Sequence, residues 1–449
     1  MRILTPVGML GYGYPINDFW AAVDRGVDAI VVDSGSTDPG PIMLGTGTLL
    51  VTEDSYVRDL RPLLQAAGTR GIPLVISSAG GAGTNAQVDW MVELVDRIAT
   101  EEGLSLRVAS VYADIDPAIV LDQLDKGRIR PNVLGDLPTH ASVHDTTAIV
   151  AQMGAEPLVP LLTEDHPVDV VVAGRAYDPA PHAAFCLSRG IDPAIAWHMG
   201  KIMECGAMCA IPKSGGVVAT VYRDAFELTP ISAHQACTPL SVAAHTLYEK
   251  GRPDLLVGPS GVLDVRHCTY TAVDDRTVRV QNSRFEPART ATVKLEGASP
   301  VGYRSVFIGG IRDPLLIRQI EDFLDQVRVH VGVLQPDLAN GEASLRFHVY
   351  GKNGTMGDWE PHGGVGHEVA ILGEVTAPTQ ERATAVCTSA RVAVLHKSYP
   401  GQKATAGNLA LPLTPLDIPI GPVFEFTLYH VMDSEGLRLF STETRKVGI

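Results

Sequence analysis

Short apolar runs alternate with amphipathic stretches through the first part of the chain. The pattern predicts strands near Ile3 and at Ala29–Val32, Pro73–Ser77, Leu106–Tyr112 and Val168–Ala173, with helices from about Asn17 and over Tyr56–Ala67 and Gln87–Ala99. Ala29-Ile30-Val31-Val32 is apolar at every position, the mark of a strand buried on both faces of a parallel sheet. The expected fold class is therefore α/β, a parallel sheet flanked by helices in a Rossmann-like arrangement.

A helix over Pro193–Met208 closes this part, and Lys213-Ser214-Gly215-Gly216 marks a break. Beyond it the pattern shifts to shorter strands at Gly216–Tyr222, Thr277–Gln281 and Thr292–Glu296, mixed with a helix at Thr238–Lys250. The C-terminal part reads strand, strand, helix, strand, strand: Ser344–Tyr350, Glu368–Val375, Thr379–Leu395, Val423–Val431 and Leu437–Ser441. Three parts follow from this: an α/β domain at 1–215, a mixed region at 216–337 that completes it, and a C-terminal α+β domain at 338–449.

Each early strand runs into a polar, glycine-bearing or acidic turn, and ligands of open α/β sheets bind beyond the carboxyl ends of their strands. These turns hold Asp33, Ser36, Thr37 and Asp38, then Ser78, Gly80 and Gly81, and then Arg175 and Asp178. Glycine and Asp-Pro end elements without any function, so no single turn is diagnostic. Their recurrence at five strand ends is what singles out one edge.

Charge and cysteine content narrow the function classes. A net charge of −15 with no clustered basic surface argues against nucleic acid as a partner. No apolar run approaches the ~20 residues of a membrane span. Six scattered cysteines fit neither a disulfide framework nor a zinc ribbon, and Met1-Arg2-Ile3-Leu4 enters a strand without a signal-peptide pattern. A cytoplasmic location is expected.

Gly11-Tyr12-Gly13 invites a dinucleotide reading, but Ile16 stands where the third glycine of G-x-G-x-x-G belongs. Ser77 to Thr84 is a better candidate anion cradle, since glycines before a helix can expose backbone N–H groups. No cofactor follows from either. In Trp197–Cys209, His198, Lys201 and Cys205 can share a helix face, and Lys201 can pair with Glu204. As an exposed pair, these two would contribute about 1 kcal/mol or less. Gly200 and Gly206 in the same stretch imply that a ligand or backbone comes close. His362, His367 and Glu368 form a polar loop cluster without the H-E-x-x-H spacing, so the metal question stays open. Arg175 and Arg304 suit a bidentate grip on a carboxylate, and Arg175 equally suits pairing with Asp178.

Several strings carry a family resemblance. Gly8-Met9-Leu10-Gly11-Tyr12-Gly13, Asp33 to Pro41, Ser78 to Gly83, Ala173 to Pro179, His198 to Ala207, Cys237 to Glu249, Tyr399-Pro400-Gly401 and Thr405 to Ala410 resemble the acyclic terpene utilisation family. The resemblance implies a role in carbon catabolism and a separate small companion protein, and it brings no assigned catalytic residue.

With acids, a lysine and guanidinium groups at one sheet edge and no G-x-S-x-G elbow, the expected activity is a catabolic lyase. It would be a hydratase or dehydratase acting on a small unsaturated or hydroxylated carboxylic acid or its thioester. Arg175 or Arg304 would hold the carboxylate, Asp33, Asp38 or Glu204 would move a proton, and Lys201 would steady an enolate. Ser36, Thr37, Ser78, Gly80, Gly81, Asp178 and His198 would complete the binding surface. A ligand-binding or scaffolding subunit and a CoA- or nucleotide-dependent transferase are the competing readings. A homo- or hetero-oligomer is expected.

Overall fold

The computed structural model describes every residue except 38, 134, 165–167 and 249–250. The chain forms two compact units, Met1–Ser299 with Phe426–Ile449, and Pro300–Glu425.

The first unit is built on a ten-stranded mixed sheet. At its centre Arg2–Thr5, Ala29–Asp33, Leu74–Ser77, Val170–Ala173 and Ser105–Val111 lie side by side in that order, all parallel. Antiparallel strands extend the sheet on both sides, so it is not parallel throughout as the pattern predicts. Val217–Val221 joins Arg2–Thr5 and is followed by Ala225–Pro230, Val278–Gln281 and Thr269–Ala272. Connections as short as the one between Val221 and Ala225 cannot make a parallel crossover, which needs a dozen residues or more.

The far edge strand is Thr442–Gly448, antiparallel to Ser105–Val111. The expected strand at Leu437–Ser441 does not form. Its apolar residues Leu437, Leu439 and Phe440 pack instead against the cluster around Val143, Leu295 and Leu428. The charged Thr-Glu-Thr-Arg-Lys segment takes the edge, where lysine and other charges discourage further pairing.

Alternate residues of the central strands feed two cores. Ile3, Val31, Val75, Ala109 and Val171 face one, together with the helices Ala180–Ser188 and Pro193–Met203. Leu4, Ile30, Ile76, Val108 and Val172 face the other, with Ile16–Asp24, Glu53–Arg70 and Asn85–Glu101. Burial on both faces is the physical reason the central strands read as unbroken apolar runs.

In the second unit Tyr303 to Ile311 pairs antiparallel with Val369–Ala377, which pairs antiparallel with Ser344–Tyr350. Helices Ile320–Leu334 and Gln380–His396 pack on one face through Phe323, Val327, Val386 and Ala390 against Phe307, Ile371 and Val375. The predicted strand at Thr292–Glu296 is the beginning of a 20-residue strand, Thr292–Ile311, whose first part pairs with Ala148–Gln152 in the first unit.

Candidate functional site

Because the five central strands are parallel, their carboxyl ends share one edge of the sheet, and the turns beyond them pack backbone against backbone. A Cβ on Gly35 would overlap the Gly81 and Ser78 carbonyl oxygens, and one on Gly83 would overlap the Arg175 amide. Only glycine lets these three turns meet. Gln87 ties the second turn to its helix: its Oε1 accepts from the Ala82 and Thr84 amides (3.1 and 3.2 Å) while its Nε2 donates to the Thr48 carbonyl (3.0 Å).

Most backbone amides of the Ser77 to Thr84 turn are engaged by the protein itself. The amides of Ser78, Ala79, Gly81, Ala82, Gly83 and Thr84 all donate within the protein. At the first turn the Gly11 and Gly13 amides donate to the buried Asp59 carboxylate (2.8 and 2.9 Å). The anion there is the protein's own.

Arg175 is the centre of the edge. Its guanidinium is almost wholly buried, and Nε and Nη2 donate to the two oxygens of Glu296 (2.9 and 3.3 Å). Nη1 reaches Ser78 Oγ (3.3 Å) and Asp178 (3.5 Å), and Nη2 reaches Thr37 Oγ1 (3.4 Å). Glu296 is fully buried and also accepts from Lys294 Nζ at 2.6 Å and from Thr37 Oγ1 at 3.3 Å. Burial would raise its pKa, but Arg175 and Lys294 outweigh that and hold it at about 2. The same carboxylate, helped by Asp178, keeps Arg175 protonated against its burial.

Asp33 ends its strand beneath this cluster and accepts from Ser77 Oγ and the Ser34 amide, both at 2.9 Å. Burial, then the neighbouring Asp178 carboxylate, push its pKa up to about 7, with Arg175 and these two hydrogen bonds pulling the other way. A carboxyl at this value exchanges protons near neutral pH, which general acid–base chemistry requires.

The cluster borders a cavity of about 770 Å³ lined by Thr37, Arg175, Tyr177 and Asp178 from the turns, by Arg130, Asn132, Gln152, Lys294 and Tyr429 opposite, and by Val257, Gly258 and Pro259. Its lining is dominated by charged and hydrogen-bonding groups. The model for acyclic terpene utilisation family protein AtuA matches residues 52–412, most of the chain. The chain belongs to the AtuA family. No curated protein and no solved structure matches it. The stretch shared with the AtuA family holds Ser78, Arg175, Asp178, Lys201, Glu204, Lys294 and Glu296, while Asp33, Thr37 and Tyr429 lie outside it.

The other residues expected at the site of this AtuA-family chain divide as follows. Ser36 sits half-buried in the turn with Thr37, and Asp38 lies outside the described residues. Gly80 and Gly81 shape the second turn, each at positive φ. Lys201 and Glu204 are ion-paired and buried, not exposed as assumed. Lys201 lines a small apolar pocket with Trp197, Leu256, Leu263 and Phe285, and Tyr177 and Gly258 line both this pocket and the large cavity. Burial opposes the charge on Lys201, but Glu204 outweighs it and raises the pKa. Gly200 admits the Pro179 carbonyl, 2.7 Å from where a Cβ would stand, and Gly206 admits the Gly215 carbonyl at the same distance. The close approach at this helix is therefore by backbone.

His198 points elsewhere, with Nδ1 2.7 Å from Ser283 Oγ and Nε2 3.2 Å from Thr246 Oγ1, edge-on to Phe226 and Tyr270. Burial lowers its pKa to about 3, leaving a neutral imidazole. Arg304 belongs to the second unit, where it pairs with Glu374 at 3.0 Å. Among the described residues no group of three or more His, Cys, Asp or Glu side chains is placed to hold a metal ion. No helix of the described residues is long and apolar enough to cross a membrane.

Sequence reasoning passed over Glu296 and Lys294. The segment Thr292-Val293-Lys294-Leu295-Glu296 alternates strictly, with Val293 and Leu295 in a core and the polar side turned to the cavity and to Arg175. Such alternation ordinarily marks a solvated strand face.

Proposed function

We propose that this chain is a catabolic lyase, a hydratase or dehydratase, acting on a small unsaturated or hydroxylated carboxylic acid or its thioester. AtuA membership supports the catabolic role. The arrangement that carries the chemistry is a buried carboxyl, Asp33, behind Asp178 and Arg175, which line a polar cavity; burial and Asp178 push its pKa up to about 7.

In this reading Asp178, half-buried and facing the cavity, meets the ligand and exchanges its proton with the buried Asp33 store. Arg175, fixed by Glu296, presents positive charge where an enolate develops, a contribution that grows in a water-poor site. Lys201 and Glu204 act from behind Tyr177, which they help to position. A small companion protein, implied by the family resemblance, completes the working enzyme, and six cysteines with no disulfide among them fit a cytoplasmic setting.

The test is a panel of unsaturated and hydroxylated acids and their thioesters, incubated with the chain alone and with its companion and followed by mass spectrometry. Gain or loss of one water by the wild type, abolished in Asp178→Asn and slowed in Asp33→Asn, is expected. Conversion without a change of one water would replace the lyase reading with another reaction class.

A further inference from the structure

The wall of the cavity opposite the strand-end turns carries charge that the proton chemistry does not use. There Lys294 stands directly across from Gln152 in antiparallel register, and Arg130 pairs with Val431 on the neighbouring strand pair. Lys294 Nζ donates to Glu296 (2.6 Å) and to the Tyr429 hydroxyl (3.1 Å), whose ring it also overlies at 4.2 Å. An ammonium has three donors and these contacts engage two. Arg130 donates from one terminal nitrogen to Asp433 at 2.9 Å, leaving most of a five-donor guanidinium to the cavity it lines.

Charge balance points the same way. Glu296 is shared between Arg175 and Lys294, and Arg175 has a second carboxylate in Asp178, so Lys294 has only a shared carboxylate to answer it. Asp178 brings negative charge to the turn side. The volume, about 770 Å³, falls in the ~300–1,000 Å³ range of pockets that hold drug-sized ligands, and it exceeds what a short monocarboxylic acid would fill.

We propose that Lys294 and Arg130 form a second anion seat, and that the ligand carries an anionic group, carboxylate or phosphate, in addition to its reacting carboxyl or thioester. The inference rests on the acid–base reading only for which part of the ligand reacts. The seat itself is a matter of binding.

Isothermal titration of the intact chain with glutarate, butyrate and coenzyme A tests it without turnover. Glutarate or coenzyme A should bind about tenfold or more tightly than butyrate, as one added charge-assisted contact implies. Glutarate as the tighter of the two identifies a carboxylate, coenzyme A a phosphate. Arg130→Gln, at an exposed ion pair, should remove most of that advantage while leaving butyrate binding and the unfolding midpoint near wild type. Equal binding of the three probes, binding of none, or an Arg130→Gln variant that keeps the full advantage overturns the proposal. A chain that prefers the dianion yet converts no acid defeats the lyase reading alone, and an active chain with no such preference defeats the anion seat alone.

Discussion

Replacing Glu296 by glutamine should destabilise the first unit more than any exposed substitution, because one neutral amide would then face two cations at a buried wall. Glu296 is fully buried and bonded to Arg175 Nε at 2.9 Å, Lys294 Nζ at 2.6 Å and Thr37 Oγ1 at 3.3 Å. Removing one member of a buried ion pair costs about 3–5 kcal/mol. A second route to the magnitude agrees: the gap between the ordinary carboxyl value of 4.5 and about 2 in the fold corresponds to about 3 kcal/mol. Because the folded value is depressed, that stability is fully present above about pH 4.5 and is lost as pH falls toward 2. Urea unfolding of wild type and Glu296→Gln at several pH values measures both effects. The variant should lie about 3 kcal/mol below wild type at pH 7, and the gap should narrow progressively below pH 4.5. Adding Lys294→Met should recover part of the loss by removing one unanswered charge. A gap under 1 kcal/mol at pH 7, or one that does not change with pH, would refute the claim that this carboxylate holds the cluster together.

Three further outcomes follow from the same geometry. Asp33 has a folded pKa above its unfolded one, so its ionisation costs stability that grows as pH rises from about 4 through about 7; Asp33→Asn should therefore gain on wild type between pH 5 and pH 8 in denaturant titrations, and a constant difference would refute the raised value. Lys201→Met should lose about 3–5 kcal/mol by removing the ion-pair partner of the buried Glu204 carboxylate, and the double variant Lys201→Met/Glu204→Met should be milder in the same assay; a single variant within 1 kcal/mol of wild type would refute an ion pair of this strength. Gly83→Ala, at positive φ against the Arg175 amide, should lower stability by about 3 kcal/mol or more and disturb the Arg175 turn, measured by thermal unfolding and by loss of ligand binding, whereas an unaffected variant would show that the turns do not pack as described.

The central strands and the edge they form were legible because burial on both faces leaves an unbroken apolar run, and because each such run stops at a glycine, serine or aspartate turn. That pattern brought Asp33, Thr37, Ser78, Arg175 and Asp178 to one place. It could not show what Arg175 binds, since Glu296 lies 121 residues away in a strand whose polar side imitates a solvent face. Nor could it distinguish glycines that bind a ligand from glycines that admit backbone. Gly35, Gly83, Gly200 and Gly206 are of the second kind, and only the positions of neighbouring carbonyls and amides reveal it. The pair Lys201 and Glu204 was visible at helical spacing, but its burial depends on the packing of Trp197, Phe285 and the strands around Leu256 and Leu263. The edge strand Thr442–Gly448 escaped notice for the opposite reason: it is charged, and pairing with Ser105–Val111 along its full length places it in the sheet.

The most direct measurement is proton exchange at carbon. Panel acids incubated in deuterium oxide with the wild-type chain and its companion should take up deuterium at the carbon beside the carboxyl or thioester, observed by NMR. Uptake should vanish in Asp178→Asn, fall steeply in Asp33→Asn, and follow a pH profile with a midpoint near 7. Undiminished exchange in both variants, or the same pH profile with and without Asp33, would contradict an acid–base site at this edge.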